Sequence, residues 1–202
     1  MRNLTAAVHA VLLAAFDGTE VPDWVRDADG LGGVCLFGTN TPDAGTTARL
    51  VADLRGAHAD LVVTLDEEGG DVTRIEAATG SSLPGASAFG AVDDVDLTRR
   101  AGRALGGLLR ACDIDLTLAP VIDVASNPDN AALGARAIHS QAAVVARHGV
   151  ALIEGLHDAG VGACAKHAPG HGERLDERDK RDRTGNKGYC TVGESFKPRK
   201  SV

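Results

Sequence analysis

The chain has 202 residues, 44% hydrophobic and 24% charged, which suffices for one domain with a real core. A formal net charge of −7 argues against partners held by bulk positive charge, so neither nucleic acid nor an anionic membrane surface is expected. Cys35, Cys112, Cys164 and Cys190 lie far apart, with no C-x-x-C pair, so neither a zinc knuckle nor a small disulfide scaffold is indicated, and they read as buried thiols in a reducing compartment.

The first predicted element is a strand over Val8–Ala15. The apolar run Leu4–Phe16 follows Arg2 and has some character of an export signal, but His9 interrupts it and no small-x-small cleavage site follows. It is also shorter than the roughly twenty residues that span a bilayer. The expectation is a cytoplasmic protein. Next comes a strand at Gly33–Phe37, then a helix with Thr41 as cap and Pro42 in its first position, whose apolar face carries Ala44, Ala48, Val51, Leu54 and Ala57. A third strand, Leu61–Leu65, runs into Asp66-Glu67-Glu68-Gly69-Gly70. After a long connection through Pro84, a second helix covers Val95–Cys112, and a fourth strand, Ile114–Val121, leads to Asp123. A third helix is expected from Ser140 to Asp158, with Gly160 as its stop. The fifth strand, Val161–Lys166, empties into His167-Ala168-Pro169-Gly170-His171-Gly172.

Strands that alternate with helices indicate repeated βα units and a parallel sheet covered on both faces. Asp66, Asp123, Lys166 and His167 all fall at the C-terminal ends of strands, the face on which a β/α barrel builds its active site. A doubly wound sheet would also bind there, but no G-x-G-x-x-G or G-x-x-x-x-G-K-[ST] follows the first strand, so a nucleotide fold is unsupported. The fold class is therefore α/β, a partial (β/α)8 barrel of the TIM type with about five βα units.

Residue usage changes after Gly172. Residues 1–172 hold thirty-three Ala, eleven Arg and one Lys, whereas 173–202 hold no Ala, five Arg and four Lys. Ten of the eleven residues from Glu173 to Arg183 are charged, which leaves no apolar face to pack. The chain thus divides into a barrel portion, 1–172, and a charged tail, 173–202, expected to be disordered. Such a shift is what a displaced reading frame or a foreign terminus produces.

Five motifs occur in one order: Gly33-Val34-Cys35-Leu36-Phe37; Asp66-Glu67-Glu68-Gly69-Gly70 with Arg74; Ala119-Pro120-Val121-Ile122-Asp123; Gly134-Ala135-Arg136; and Lys166-His167-Ala168-Pro169-Gly170-His171-Gly172. In this order and spacing, over about residues 8–172, the chain resembles family 3 glycoside hydrolases of the β-N-acetylhexosaminidase type. The resemblance implies a retaining hydrolase of O-glycosyl bonds that removes terminal β-linked N-acetylglucosamine, in bacteria often from cell-wall fragments, without a cofactor. It implies that Asp66 accepts hydrogen bonds from sugar hydroxyls, that Arg74, Arg136, Lys166 and His167 line the same subsite, and that Asp123 and His171 orient these groups. A carboxylate accepts two hydroxyls in fixed geometry, and a guanidinium offers five donors. Read alone, Arg74 also suits an ion pair with Glu67 or Glu76, Arg136 a loop clamp, and His171 a backbone-bonded role. His167 and His171 lie four apart, but Pro169 and Gly170 forbid a regular helix between them, so no metal site is expected.

Retaining glycosidases need a nucleophilic carboxylate and an acid/base. The resemblance places the acid/base in an Asp-Ser-His segment just past the Pro-Gly-His-Gly turn, where this chain has Glu177, Arg178 and Asp179. It places the nucleophilic Asp much further along. Both catalytic groups are thus expected to be missing from this chain. The competing expectations are a complementing C-terminal polypeptide, a non-catalytic or vestigial saccharide-binding fragment, a β-glucosidase of the same family, and a phosphate-binding barrel of the aldolase kind.

Overall fold

The computed structural model describes residues 4–172 and the strand at 189–192. The chain opens on a short helix, α1 (Leu4–His9), before a two-residue strand, β1 (Leu13–Ala14). The strand expected over Val8–Ala15 is therefore mostly replaced. Adjacent alanines favour the helical turn, which the Ala10 N–H closes onto the Ala6 carbonyl at 3.0 Å, and the His9 carbonyl then takes the Gly32 N–H at 2.9 Å. Nor is the apolar run core, because Leu4 is 77% and Val11 81% exposed.

One helical turn, α2 (Asp23–Arg26), precedes β2 (Gly33–Leu36). Helix α3 (Ala44–Ala57) begins after Asp43, whose carboxylate accepts the Thr46 N–H at 2.8 Å. The cap is thus Asp43 rather than Thr41. A carboxylate satisfies a helix N-terminus better than a hydroxyl and also faces the positive end of the dipole. The Thr41 hydroxyl instead faces the carbonyls of Phe37 and Arg74, 3.2 Å from each. Strand β3 (Val62–Leu65) follows, then α4 (Ala86–Val92), a helix not expected from sequence between the long connection through Pro84 and the helix at Val95. Helix α5 (Val95–Ala111) starts on Asp94, which accepts the Leu97 N–H at 2.9 Å.

Strand β4 is only Leu116–Thr117, shorter than the expected Ile114–Val121. Pro120 has no N–H to give a ladder, and the Ala119–Pro120 bond is cis. The segment beyond still runs beside its neighbour, with Ala119 O accepting from Cys164 N at 2.9 Å and Pro120 O from Lys166 N at 3.0 Å. A 3₁₀ turn at Gly134–Arg136, helix α6 (Ala142–Asp158) and β5 (Gly162–Ala168) complete the barrel portion. Gly160, at φ 77°, ends α6 as expected. Of the 173–202 tail expected to be disordered, Tyr189–Val192 forms β6, antiparallel to β5, and the rest lies outside the described residues. Glu177, Arg178 and Asp179 lie outside them too.

β1 to β5 pair in parallel in strict sequence order. Among the described residues no strand order reverses, so this part of the sheet is wound in one direction, as in a barrel, without the switch point of a doubly wound fold. All four residues of β2 are buried, which is the mark of a sheet covered on both faces. The core joins Val34, Leu36, Val63 and Leu65 to Leu50 and Leu54 of α3, Leu109 of α5 and Leu156 of α6. Each fully buried leucine contributes roughly 2 kcal/mol. Helices α5 and α6 approach at Gly102, where an added Cβ would lie 2.6 Å from the Leu152 carbonyl oxygen, and at Gly155, where it would run into the Arg99 carbonyl. Cys35 and Cys112 are buried free thiols, as read from sequence, but Cys164 is disulfide-bonded. Sequence separation does not disclose such a bond, which depends on Cα atoms brought within reach by folding. No helix among the described residues is long and apolar enough to cross a membrane.

Candidate functional site

The C-terminal ends of β3, β4 and β5 converge, and with them the charged side chains that follow. Asp66 is the first residue past β3. Its Oδ1 accepts a 2.6 Å hydrogen bond from Lys166 Nζ of β5, and its Oδ2 lies 3.6 Å from the Arg74 guanidinium. The same Nζ lies 2.5 Å from Glu68 Oε1. Arg136, on the 3₁₀ turn, grips Glu68 with two parallel bonds of 2.9 and 2.8 Å and spends another donor on the Ala132 carbonyl at 3.0 Å. Asp66, Glu68, Arg74, Arg136 and Lys166 therefore form one network. Bidentate pairing of this kind fixes orientation as well as charge. The hydrogen bonds to Glu68, helped by its charge, hold the Arg136 guanidinium above its ordinary pKa despite burial.

Beside it stands a second group. Asp123 Oδ2 lies 2.6 Å from His167 Nδ1, and its Oδ1 accepts the His171 N–H at 2.6 Å. Burial opposes ionisation of Asp123, yet these contacts hold its carboxyl below the usual carboxylate range. The two imidazole rings stack at 4.4 Å with a 39° tilt. Asn130 donates to the His171 carbonyl at 2.6 Å, which ties this turn to the loop carrying Arg136. The groups meet at the adjacent residues Lys166 and His167, and the Ile122 N–H donates to the Lys166 carbonyl at 2.6 Å.

All seven residues singled out from the sequence thus sit on one rim. Arg74 faces Asp66 rather than pairing with Glu67 or Glu76. Arg136 does clamp a loop, through Ala132, while also reaching into the network. His171 is anchored by its backbone, and Asp123 sits behind His167.

Sequence reasoning missed Glu68. In the run Asp66-Glu67-Glu68 only Asp66 lies in line with the strand, but the chain reverses at Gly69 and Gly70, at φ 80° and 59°, and folds Glu68 back into the mouth. Its side chain is 5% exposed. The two glycines were the signal that could have found it. Cys35, at the end of β2, lines the floor, and burial together with the Asp66 charge pushes its thiol up to about 11 against the pull of Arg74 and Lys166. No group of three or more His, Cys, Asp or Glu among the described residues is arranged to hold a metal.

A singly wound parallel sheet with a charged, hydrogen-bonding rim at its strand exits is the plan of a β/α-barrel enzyme portion. The family model for the glycosyl hydrolase family 3 N-terminal domain matches residues 9–187, and the chain belongs to that family. The β-hexosaminidase of Bordetella avium is 36% identical over 149 residues, covering 70% of this chain and 42% of the relative. A family 3 β-N-acetylglucosaminidase from Paenibacillus sp. superposes with a TM-score of 0.81 at 35% identity, covering 88% of this chain and 35% of that one. NagZ from Neisseria gonorrhoeae, solved in complex with N-trifluoroacetyl-D-glucosamine, gives a TM-score of 0.72 at 31% identity, covering 80% and 51% respectively. The chain thus spans about half or less of the length of these proteins. Family membership removes the phosphate-binding barrel from the competing expectations.

Proposed function

We propose that this chain carries the saccharide-binding rim of a retaining β-N-acetylhexosaminidase, acting on terminal β-linked N-acetylglucosamine. One observation carries the reading: Asp66 stands at a strand exit between Lys166 and Arg74, with its side chain 22% exposed. Each carboxylate oxygen keeps accepting capacity beyond these contacts. Beside it, the Arg74 side chain is 32% exposed, and its guanidinium carries donors beyond the contact with Asp66. An acceptor flanked by an exposed donor is what adjacent sugar hydroxyls require. His167, oriented through Nδ1 by Asp123, directs its other ring nitrogen away from that carboxylate and is the further polar contact. The relatives named β-hexosaminidase and the N-acylglucosamine bound in the NagZ complex support an N-acetylated sugar over glucose.

Hydrolysis by such a rim further needs a carboxylate nucleophile and an acid/base, one to form and the other to release a glycosyl intermediate. In this reading a complementing polypeptide that continues the barrel supplies them. The test has two arms. Titration of the chain with N-acetylglucosamine and with glucose, followed by NMR, is expected to show a response to the first at lower concentration; equal response to glucose would favour the β-glucosidase branch, and no response to either would remove the reading. Hydrolysis of a chromogenic N-acetylglucosaminide is expected only after the remaining portion of a family 3 barrel is added. Turnover by the chain alone would contradict the need for a partner, and binding without turnover under both conditions would identify a non-catalytic saccharide-binding fragment.

A further inference from the structure

The Glu67 carboxylate meets the rim network only through the backbone of Arg74, and it is fully buried. A buried carboxylate is costly unless hydrogen bonds compensate it. Burial pushes the Glu67 carboxyl above the usual range, against the N–H groups of Ile75 and Arg74 and the Thr73 hydroxyl. Its oxygen Oε2 accepts both N–H groups, from Arg74 at 2.8 Å and from Ile75 at 3.0 Å. The Glu67 backbone is itself fastened to β4, since the Thr117 hydroxyl donates to the Glu67 carbonyl at 2.9 Å. On the far side of Arg74, its carbonyl faces the Thr41 hydroxyl at 3.2 Å. The Arg74 backbone is thus held at both its N–H and its carbonyl, by groups belonging to two different βα units. That grip fixes where the guanidinium starts, and so where it meets Asp66.

We propose that Glu67 is a positioning residue of the saccharide subsite: it sets Arg74 against Asp66 and acts on a bound sugar only through Arg74. This rests on the reading of the rim as an N-acetylglucosamine subsite. An alanine at 67 leaves two buried N–H groups without an acceptor, whereas a glutamine keeps an oxygen at the same reach.

The experiment is a double-mutant cycle on the full 202-residue chain, with N-acetylglucosamine as the probe. Glu67→Ala and Arg74→Ala are each expected to weaken binding about tenfold, with the double variant no weaker than Arg74→Ala, as for residues acting as one unit. Glu67→Gln is expected to restore binding to within about twofold of wild type. An undiminished effect of Glu67→Ala in the Arg74→Ala background, or a Glu67→Gln as poor as Glu67→Ala, would overturn the proposal. A second readout needs no sugar: amide hydrogen exchange at Arg74 and Ile75 is expected to quicken in Glu67→Ala and stay slow in Glu67→Gln. Unchanged exchange in Glu67→Ala would overturn the positioning role, while a wild-type chain that ignores the sugar but shows the exchange pattern would overturn only the saccharide reading. Should Glu67→Ala fail to fold, Glu67→Asp, one methylene short of the two N–H groups, replaces it with the same expected order.

Discussion

Glu68 and Arg136 are joined by two parallel hydrogen bonds, 2.9 and 2.8 Å long, across a separation of 68 residues. Lys166 Nζ sits on the same carboxylate at 2.5 Å. Removing Glu68 would leave the largely buried Arg136 guanidinium without its carboxylate and Lys166 with Asp66 alone. Glu68→Ala is expected to destabilise the chain by about 3 kcal/mol, the cost of breaking a buried ion pair from one side. Urea unfolding followed by circular dichroism checks this, and a loss below about 0.5 kcal/mol would show that the fork does not hold the two loops together.

Asp66 behaves differently, because Lys166 keeps Glu68 when Asp66 is gone. Asp66→Ala is expected to cost stability about 1 kcal/mol or less while weakening N-acetylglucosamine binding by at least about tenfold. Glu68→Ala and Asp66→Ala therefore separate holding the rim from reading the sugar. Parallel unfolding and NMR titration of the two variants would contradict this separation if both lost stability equally.

The acid response follows from Asp123. Its carboxyl is depressed in the folded chain, so its contribution is fully present above the ordinary unfolded value of about 4 and is lost as pH falls through the lower folded value. Asp123→Asn is expected to flatten the decline of Tm between about pH 5 and about pH 2. Glu67 has the opposite sign: its raised folded value gives a contribution present below the ordinary value and lost as pH rises through the folded one. Glu67→Gln is accordingly expected to gain on wild type as pH rises from about 4 towards neutrality, measured by thermal melts across that range.

The thiols offer a labelling test. With Cys35 pushed up to about 11 and buried, and Cys112 also raised by burial, neither presents a thiolate near neutral pH. Both are expected to resist iodoacetamide in the native chain at about pH 8 and to react once the chain is unfolded in urea. Mass spectrometry of the labelled peptides reads the result. Rapid native labelling of Cys35 would place the floor of the rim in open solvent.

The helices α3, α5 and α6 and the middle strands were legible because their residues obey the simple periods, and the rim was legible because strand ends carry its polar groups. The start was not, because Leu4–Phe16 is apolar without being buried, and hydropathy cannot tell an exposed apolar helix from a strand. Strand β4 was overread at its far end, where Pro120 has no N–H to donate although the chain still runs beside β5. Helix α4 was missed because Ala86–Val92 is short and its run of small residues carries little period. Glu67 and Glu68 escaped because their roles depend on a reversal at Gly69 and Gly70, which no count of charges along the chain discloses.

Three consecutive acids after β3 alternate between two destinations: Asp66 and Glu68 reach the mouth, and Glu67 the interior beneath it. Insertion or deletion of a single residue between Leu65 and Gly69 would exchange those destinations, sending a charge meant for the rim into the interior. The exposed stretch at 77–80 has no such constraint. Length variation among natural or engineered homologues should therefore be absent from the acidic triplet and admitted a few residues downstream.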